Sequence, residues 1–144
     1  MIDFIIKLYK ADSVLFIGMV GLFFLILLWI FLISLYIYSN IYLKGICRIV
    51  YKDERKFKRL MEPFDFFYLS ILPSSYLKEI LNIKFNTSFK AYYGNNVYYK
   101  IGDSQLKELL RNYPMFFYLH YSFMLSGFLS MFLLFLSYSI KQFF

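Results

Sequence analysis

Two intervals of this chain carry no Asp, Glu, Lys or Arg: Val14 to Leu43, centred on VLFIGMVGLFFLILLWIFLISLYIY, and Asn112 to Ile140, centred on MFFYLHYSFMLSGFLSMFLLFL. Crossing the hydrocarbon core of a bilayer takes about 20 residues of helix, so either interval suffices even when tilted. The pattern predicts transmembrane helices over 14–43 and 112–140. Helices that are apolar all round also occur in the cores of large soluble proteins. Here the remaining residues are too few to cover two of them.

The polar flanks predict the rest of the layout. In residues 1–13, Ile2, Ile5, Ile6 and Tyr9 share one helical face, which suits a short external or interfacial segment before Asp12 or Ser13 caps the first span. After the first span, Leu43, Ile46, Val50, Phe57 and Leu60 fall near one face. Lys44, Arg48, Lys52, Arg55 and Arg59 follow at spacings of three or four on the other. This predicts a basic helix running on to Met61 or Glu62, where Pro63 stops it. Beyond it, PFDFFYLSILPSSYLKEIL predicts an aromatic turn segment, with Phe64, Phe66, Phe67, Tyr68 and Leu72 in a small core or in the headgroup layer. A break at Pro73 and a short helix capped by Ser74 or Ser75 follow. Gly94-Asn95-Asn96 suits the turn of a small hairpin between aromatic runs. Then DSQLKELLRNYP predicts a helix capped by Asp103, with Pro114 as hinge or first turn of the second span. The fold class is thus all-α dominated: two transmembrane helices joined by a basic middle segment, 44–111, of short helices with room for one hairpin, and a tail over 141–144.

Composition agrees. Of the 144 residues 60% are hydrophobic and 24% aromatic, more than a soluble domain of this size can hide. The formal charge of +7 would by itself suit nucleic acid, but its distribution suits a membrane edge better. Lys44 to Arg111 carries 13 Lys/Arg and 7 Asp/Glu, and Lys44 to Arg59 alone holds 7 basic and 2 acidic residues. Basic residues flanking a span stay on the cytoplasmic side. The expected topology has a cytoplasmic middle segment and both termini outside, with the first span kept as an uncleaved anchor. Lys44, Arg48, Lys52, Arg55, Lys56, Lys58 and Arg59 are expected to set this topology and touch anionic lipid headgroups. Nucleic acid is not an expected partner, because no folded reader accompanies the charges. Usage rich in Lys, Asn, Ile, Phe and Tyr suggests a bacterial inner membrane.

Little else suggests chemistry. One Cys and one His do not build a soft-ligand metal site, and no phosphate-binding, dinucleotide or metalloprotease motif occurs. No cofactor and no catalytic centre are expected. Cys47, beside Arg48, reads as a packing cysteine. Glu54 with Lys58 and Arg55 with Arg59 read as ordinary pairs on a helix surface. His120, in FFYLHYSF within the second span, is expected to find a protein or interfacial partner.

Interaction signals lie on the helices. Ser122, Ser126 and Ser130 recur every four residues with Gly127 beside them, and Gly18 and Gly21 thin the first span, spacings that permit close helix approach. Leu106, Leu109 and Leu110 form an apolar patch suited to docking a partner. The segment YGNNVYYKIGDSQLKELLRNY, in a layout running from Ile41 to Leu133, resembles the universal stress protein B family of small two-pass proteins. This chain's central segment is longer and more aromatic. The resemblance implies a bacterial inner-membrane protein with a basic helix after the first span, another feeding the second, and no assigned catalytic centre. The expected function is that of a noncatalytic accessory or scaffold subunit of an inner-membrane complex, such as secretion or envelope machinery, joined to other integral membrane proteins as a hetero-oligomer. The alternative is a self-contained effector: a homo-oligomeric pore or an immunity-like inhibitor.

Overall fold

A computed structural model describes residues 13–85 and 101–143. The described residues are helical apart from turns and short connections, and contain no strand. The helices are α1 (Ser13–Ile41), α2 (Leu43–Tyr51), α3 (Pro63–Ser70), α4 (Leu72–Ser75), α5 (Leu77–Lys84), α6 (Asp103–Asn112) and α7 (Pro114–Phe143). The segment before Ser13 and the Gly94-Asn95-Asn96 turn lie outside the described residues.

α1 has 29 residues, a length of about 43 Å at 1.5 Å per residue. It and α7 are each long and apolar enough to cross a membrane. Only 6% of the most apolar window of α1 and 11% of that of α7 are buried, which separates them from the core helices of a soluble protein. Bulky side chains such as Ile26, Trp29, Phe128, Met131 and Phe135 stand exposed along both. The class is an all-α, two-helix membrane protein.

The chain forms two compact units. In the first, residues 13–33 pair with 121–143. Successive contacts run antiparallel: a side chain added at Gly18 would meet Ser137 Oγ at 3.1 Å, one at Gly21 would meet Leu134 at 3.0 Å, and one at Gly127 would meet Leu28 at 3.0 Å. Small residues let backbones approach where no hydrophobic effect drives helices together. The Ser137 hydroxyl donates to the Val14 carbonyl at 2.9 Å.

The second unit, 34–120, has a core that includes Leu35, Ile46, Leu69, Leu72, Leu109 and Phe116. α2 turns Leu43, Ile46, Cys47, Ile49 and Val50 inward, and α6 packs against both α2 and α5. One acid, Glu79, is buried here in the first turn of α5, where a helix N-terminus favours negative charge.

Several elements depart from the pattern-based expectation. The first long helix bends at Tyr42 (φ −99°, ψ 13°) while its hydrogen-bond ladder continues through Tyr42 N–H to Tyr38 O and Ile46 N–H to Tyr42 O. The basic helix ends at Tyr51 instead of reaching Met61, because Lys52 turns left-handed at φ 58°. Asp53 then accepts the Arg55 N–H at 2.9 Å, a local bond that competes with helix, and continuing the helix would stack Lys52, Arg55, Lys56 and Arg59 at repulsive spacings. Leu60 is consequently exposed rather than turned inward, and Phe57 is half-buried. Pro63 opens α3 rather than closing a helix, a position where its missing N–H costs nothing.

The aromatic stretch after Pro63 is helical, with Leu69 and Leu72 in the core, Phe66 edge-on to Tyr36 at 5.1 Å and Phe64 and Phe67 exposed. Pro73 begins α4. Neither Ser74 nor Ser75 caps a helix: Ser74 bonds His120, and Ser75 donates back to the Ile71 carbonyl. Asp103 is the first residue of α6, with Gly102 at the cap position, and its carboxylate binds Lys107 at 2.7 Å. Pro114 is the first residue of α7.

Candidate anion cleft at the end of the first long helix

Among the described residues, the second unit builds a feature with the character of a binding site. Asn40, at the end of α1, carries it. Its Oδ1 accepts the Met61 N–H at 2.9 Å and its Nδ2 donates to the Tyr36 carbonyl at 2.9 Å, while the Tyr36 hydroxyl donates to the Met61 carbonyl at 3.1 Å. Both backbone groups of Met61 are thereby held by side chains of α1, and the loop 52–62 is folded back onto the helix end. Met61 and Asn40 are buried, so these bonds satisfy groups that would otherwise be stranded.

Opposite stands Tyr113, whose successor Pro114 restricts it to a non-helical backbone (φ −131°, ψ 53°). Its ring lies 5.7 Å from that of Tyr42, which in turn lies 4.6 Å from Tyr38. The Tyr113 hydroxyl occupies the space that a Cβ at Gly45 would need. Glycine at 45 is therefore what lets Tyr113 lie across the first turn of α2.

Between these walls opens a cavity of about 610 Å³, lined by Asn40 to Gly45, Glu54, Arg55, Phe57 to Arg59 and Tyr113. Four basic residues, Lys44, Arg55, Lys58 and Arg59, share the lining with one acid, Glu54, which pairs with Arg48 at 3.7 Å. That exposed pair contributes little to stability, but it draws the acid toward another cation. The volume lies within the ~300–1,000 Å³ range of small-ligand sites.

Four of the seven sequence-predicted basic residues thus come together, and three do not line the cavity. Arg48 pairs with Glu54 rather than leaving Glu54 to Lys58. Lys56 sits 5.9 Å over the Tyr51 ring, and Lys52 is spent on the left-handed turn. Asn40, Tyr42, Gly45 and Tyr113 were missed. The signals for them were faint: one amide near the end of an apolar run, one glycine in a short helix, and one aromatic residue before a proline.

The other predicted positions fall elsewhere. Leu106 and Leu109 are fully buried where α6 meets α2 and α5, so they are core and offer no docking face; Leu110 is half-buried. Ser126 and Ser130 are buried and Ser122 half-buried. Around its glycines the first long helix meets Leu134 and Ser137, and Gly127 meets Leu28; Ser137 continues the serine series seven residues on from Ser130. His120 is buried, with Nε2 2.6 Å from Ser74 Oγ. Cys47 is buried, and burial pushes its thiol up to about 11. The neighbouring Asp53 adds to the shift, while the Phe57 N–H opposes it. This is the thiol of a packing residue, not of a nucleophile.

Comparison with family models, with curated proteins and with solved structures finds no match for this chain.

Proposed function

We propose that the protein is a noncatalytic accessory or scaffold subunit of a bacterial inner-membrane assembly, with the middle segment cytoplasmic and both long helices available to other integral membrane proteins. One observation carries the reading. Polar side chains of the two long helices are turned into the chain: Asn40 bonds Met61, His120 bonds Ser74 and Ser137 bonds Val14, and Ser39, Ser126 and Ser130 are buried. What remains outward between the helix ends is bulky and largely apolar, as at Ile26, Trp29, Phe128 and Phe135, with the tyrosines Tyr118 and Tyr138 exposed towards the two ends of α7. Such faces suit lipid and partner helices, and they supply no polar lining for a self-assembled pore. The charge bias of the loop after α1 supports the cytoplasmic orientation.

Gentle-detergent purification of the full chain, followed by mass determination and identification of bound proteins, tests the proposal. A stoichiometric complex with a second integral membrane protein is expected. A lone monomer, or a homo-oligomer that conducts ions in reconstituted vesicles, would replace the reading with the effector one.

A further inference from the structure

We propose that the cleft of Lys44, Arg55, Lys58 and Arg59, lined also by Tyr42 and Tyr113, is a binding site for the phosphodiester headgroup of one anionic membrane lipid. A row of basic residues after a membrane span is usually a diffuse electrostatic feature. Four observations set this cleft apart.

The cations converge. Two arginines and two lysines line one cavity, side chains whose donors are matched to phosphate oxygens, which arginine binds bidentately and lysine as a point charge. The loop that carries three of them is held in shape by the Asp53–Arg55 bond and by the grip of Asn40 and Tyr36 on Met61, so the site is formed before the ligand arrives.

The cavity also spans the change of solvent along the chain. Ile41, the last residue of α1, lines it together with Lys44, so an acyl chain beside α1 and a headgroup in the cleft belong to one molecule. A soluble phosphate would use only the charged half.

Beside the cationic loop, Leu60, Phe64 and Phe67 are exposed and spaced four and three residues apart. Leu60 is held at φ 63°, a left-handed conformation uncommon for bulky residues and retained only where surrounding contacts enforce it. Its neighbour Met61 is the residue clamped by Asn40 and Tyr36. An apolar edge held outward next to four cations matches a bilayer surface, with hydrocarbon below and phosphate above.

Finally, Tyr42 and Tyr113 bring two phenol rings 5.7 Å apart into the lining, and amphipathic aromatic groups suit the headgroup layer. The proposal rests on the membrane embedding of the two long helices and is independent of the accessory role. A chain that loses its lipid but keeps its protein partner, or the reverse, separates the two.

The test uses the full chain, delipidated in nonionic detergent, with phosphatidylglycerol and phosphatidylcholine of matched acyl chains offered together and retained lipid read by native mass spectrometry. One phosphatidylglycerol per chain, preferred about tenfold, is expected, and Lys58→Gln with Arg59→Gln lowers that retention about tenfold, the equivalent of a single lost charge-assisted contact. Lys52→Gln with Lys56→Gln removes the same charge from the same loop outside the cleft, and is expected to leave retention within about twofold by the same reasoning. Equal loss in the two double variants makes the attraction diffuse and overturns the site. Equal retention of phosphatidylcholine overturns it too, and displacement by inorganic phosphate at equal concentration reassigns the cleft to a soluble phosphate. Should the first double variant fail to fold by circular dichroism, Lys44→Gln on the exposed face of α2 replaces it, and unchanged lipid preference there sinks the proposal.

Discussion

The Gln105 side chain closes two helix ends at once: its Nε2 donates to the Ile49 carbonyl at 2.5 Å, and its Oε1 accepts the Gly102 N–H at 3.1 Å. Ile49 lies in the last turn of α2 and Gly102 caps α6. The last carbonyls and first amides of a helix have no partner within it, so one side chain supplies a missing group to each. The fold of the second unit depends on this join, because α2 and α6 bury their apolar faces on one another.

Gln105→Leu keeps the side-chain size but removes both polar contacts, leaving a carbonyl near the core unsatisfied. A loss of about 1 to 3 kcal/mol in unfolding free energy is expected, measured by denaturant titration in detergent. Amide exchange should accelerate in both α2 and α6. Acceleration confined to α6 would show that the reach to Ile49 is without consequence.

Gly45→Ala places a Cβ where the Tyr113 hydroxyl lies. Overpacking of this kind costs about 1 to 3 kcal/mol. The cost should shrink when Tyr113 is also replaced by Ala, a coupling that a double-mutant cycle reads directly. Strictly additive losses would mean that the two residues do not compete for the same space.

How far these joins could be read from the sequence differs by feature, for physical reasons. The spans were legible because a run such as GLFFLILLWIFLISLY has one solution in water and another in lipid, and local composition decides between them. The end of α2 was not. Lys44 to Arg59 keeps helical period, but Lys52 and Asp53 find a lower-energy turn with side-chain bonding that periodicity does not sense. Pro63 punctuates the chain as its type demands, yet a proline ends one helix as readily as it begins another. The cleft was half legible: its cations stand in one short stretch, whereas Tyr113 arrives from far along the chain and Asn40 from inside an apolar helix. The docking patch failed for a related reason, since Leu106 and Leu109 look alike whether a partner or α2 covers them.

Cys47 gives a pH signature. Its thiol is pushed up from 9.0 to about 11 by burial, so the unfolded chain loses this proton at lower pH than the folded chain. Between those values the folded state holds more protons, and stability falls as pH rises. The contribution is complete below pH 9 and gone above about 11. Unfolding measured across that window should fall more steeply for the wild type than for Cys47→Ala. At neutral pH the thiol should resist maleimide until the chain is unfolded. Rapid labelling of the native protein would contradict the buried placement.

Trp29 tests the membrane embedding itself. It is the one tryptophan of the chain, it stands exposed on α1, and it lies about 24 Å along the axis from Ser13 and about 18 Å from Ile41 at 1.5 Å per residue. A helix spanning a hydrocarbon layer about 30 Å thick would carry it near the midplane. In reconstituted vesicles its fluorescence should be quenched most by lipids brominated near the ends of their acyl chains, less by lipids brominated near the headgroup, and hardly by iodide in the aqueous phase. The same exposed ring on a helix that merely rested on the surface would reverse the order of the two brominated lipids. A helix sheltered in a soluble assembly would respond to neither. Because Trp29 is 58% exposed, the quenching order reports the surroundings of α1 directly.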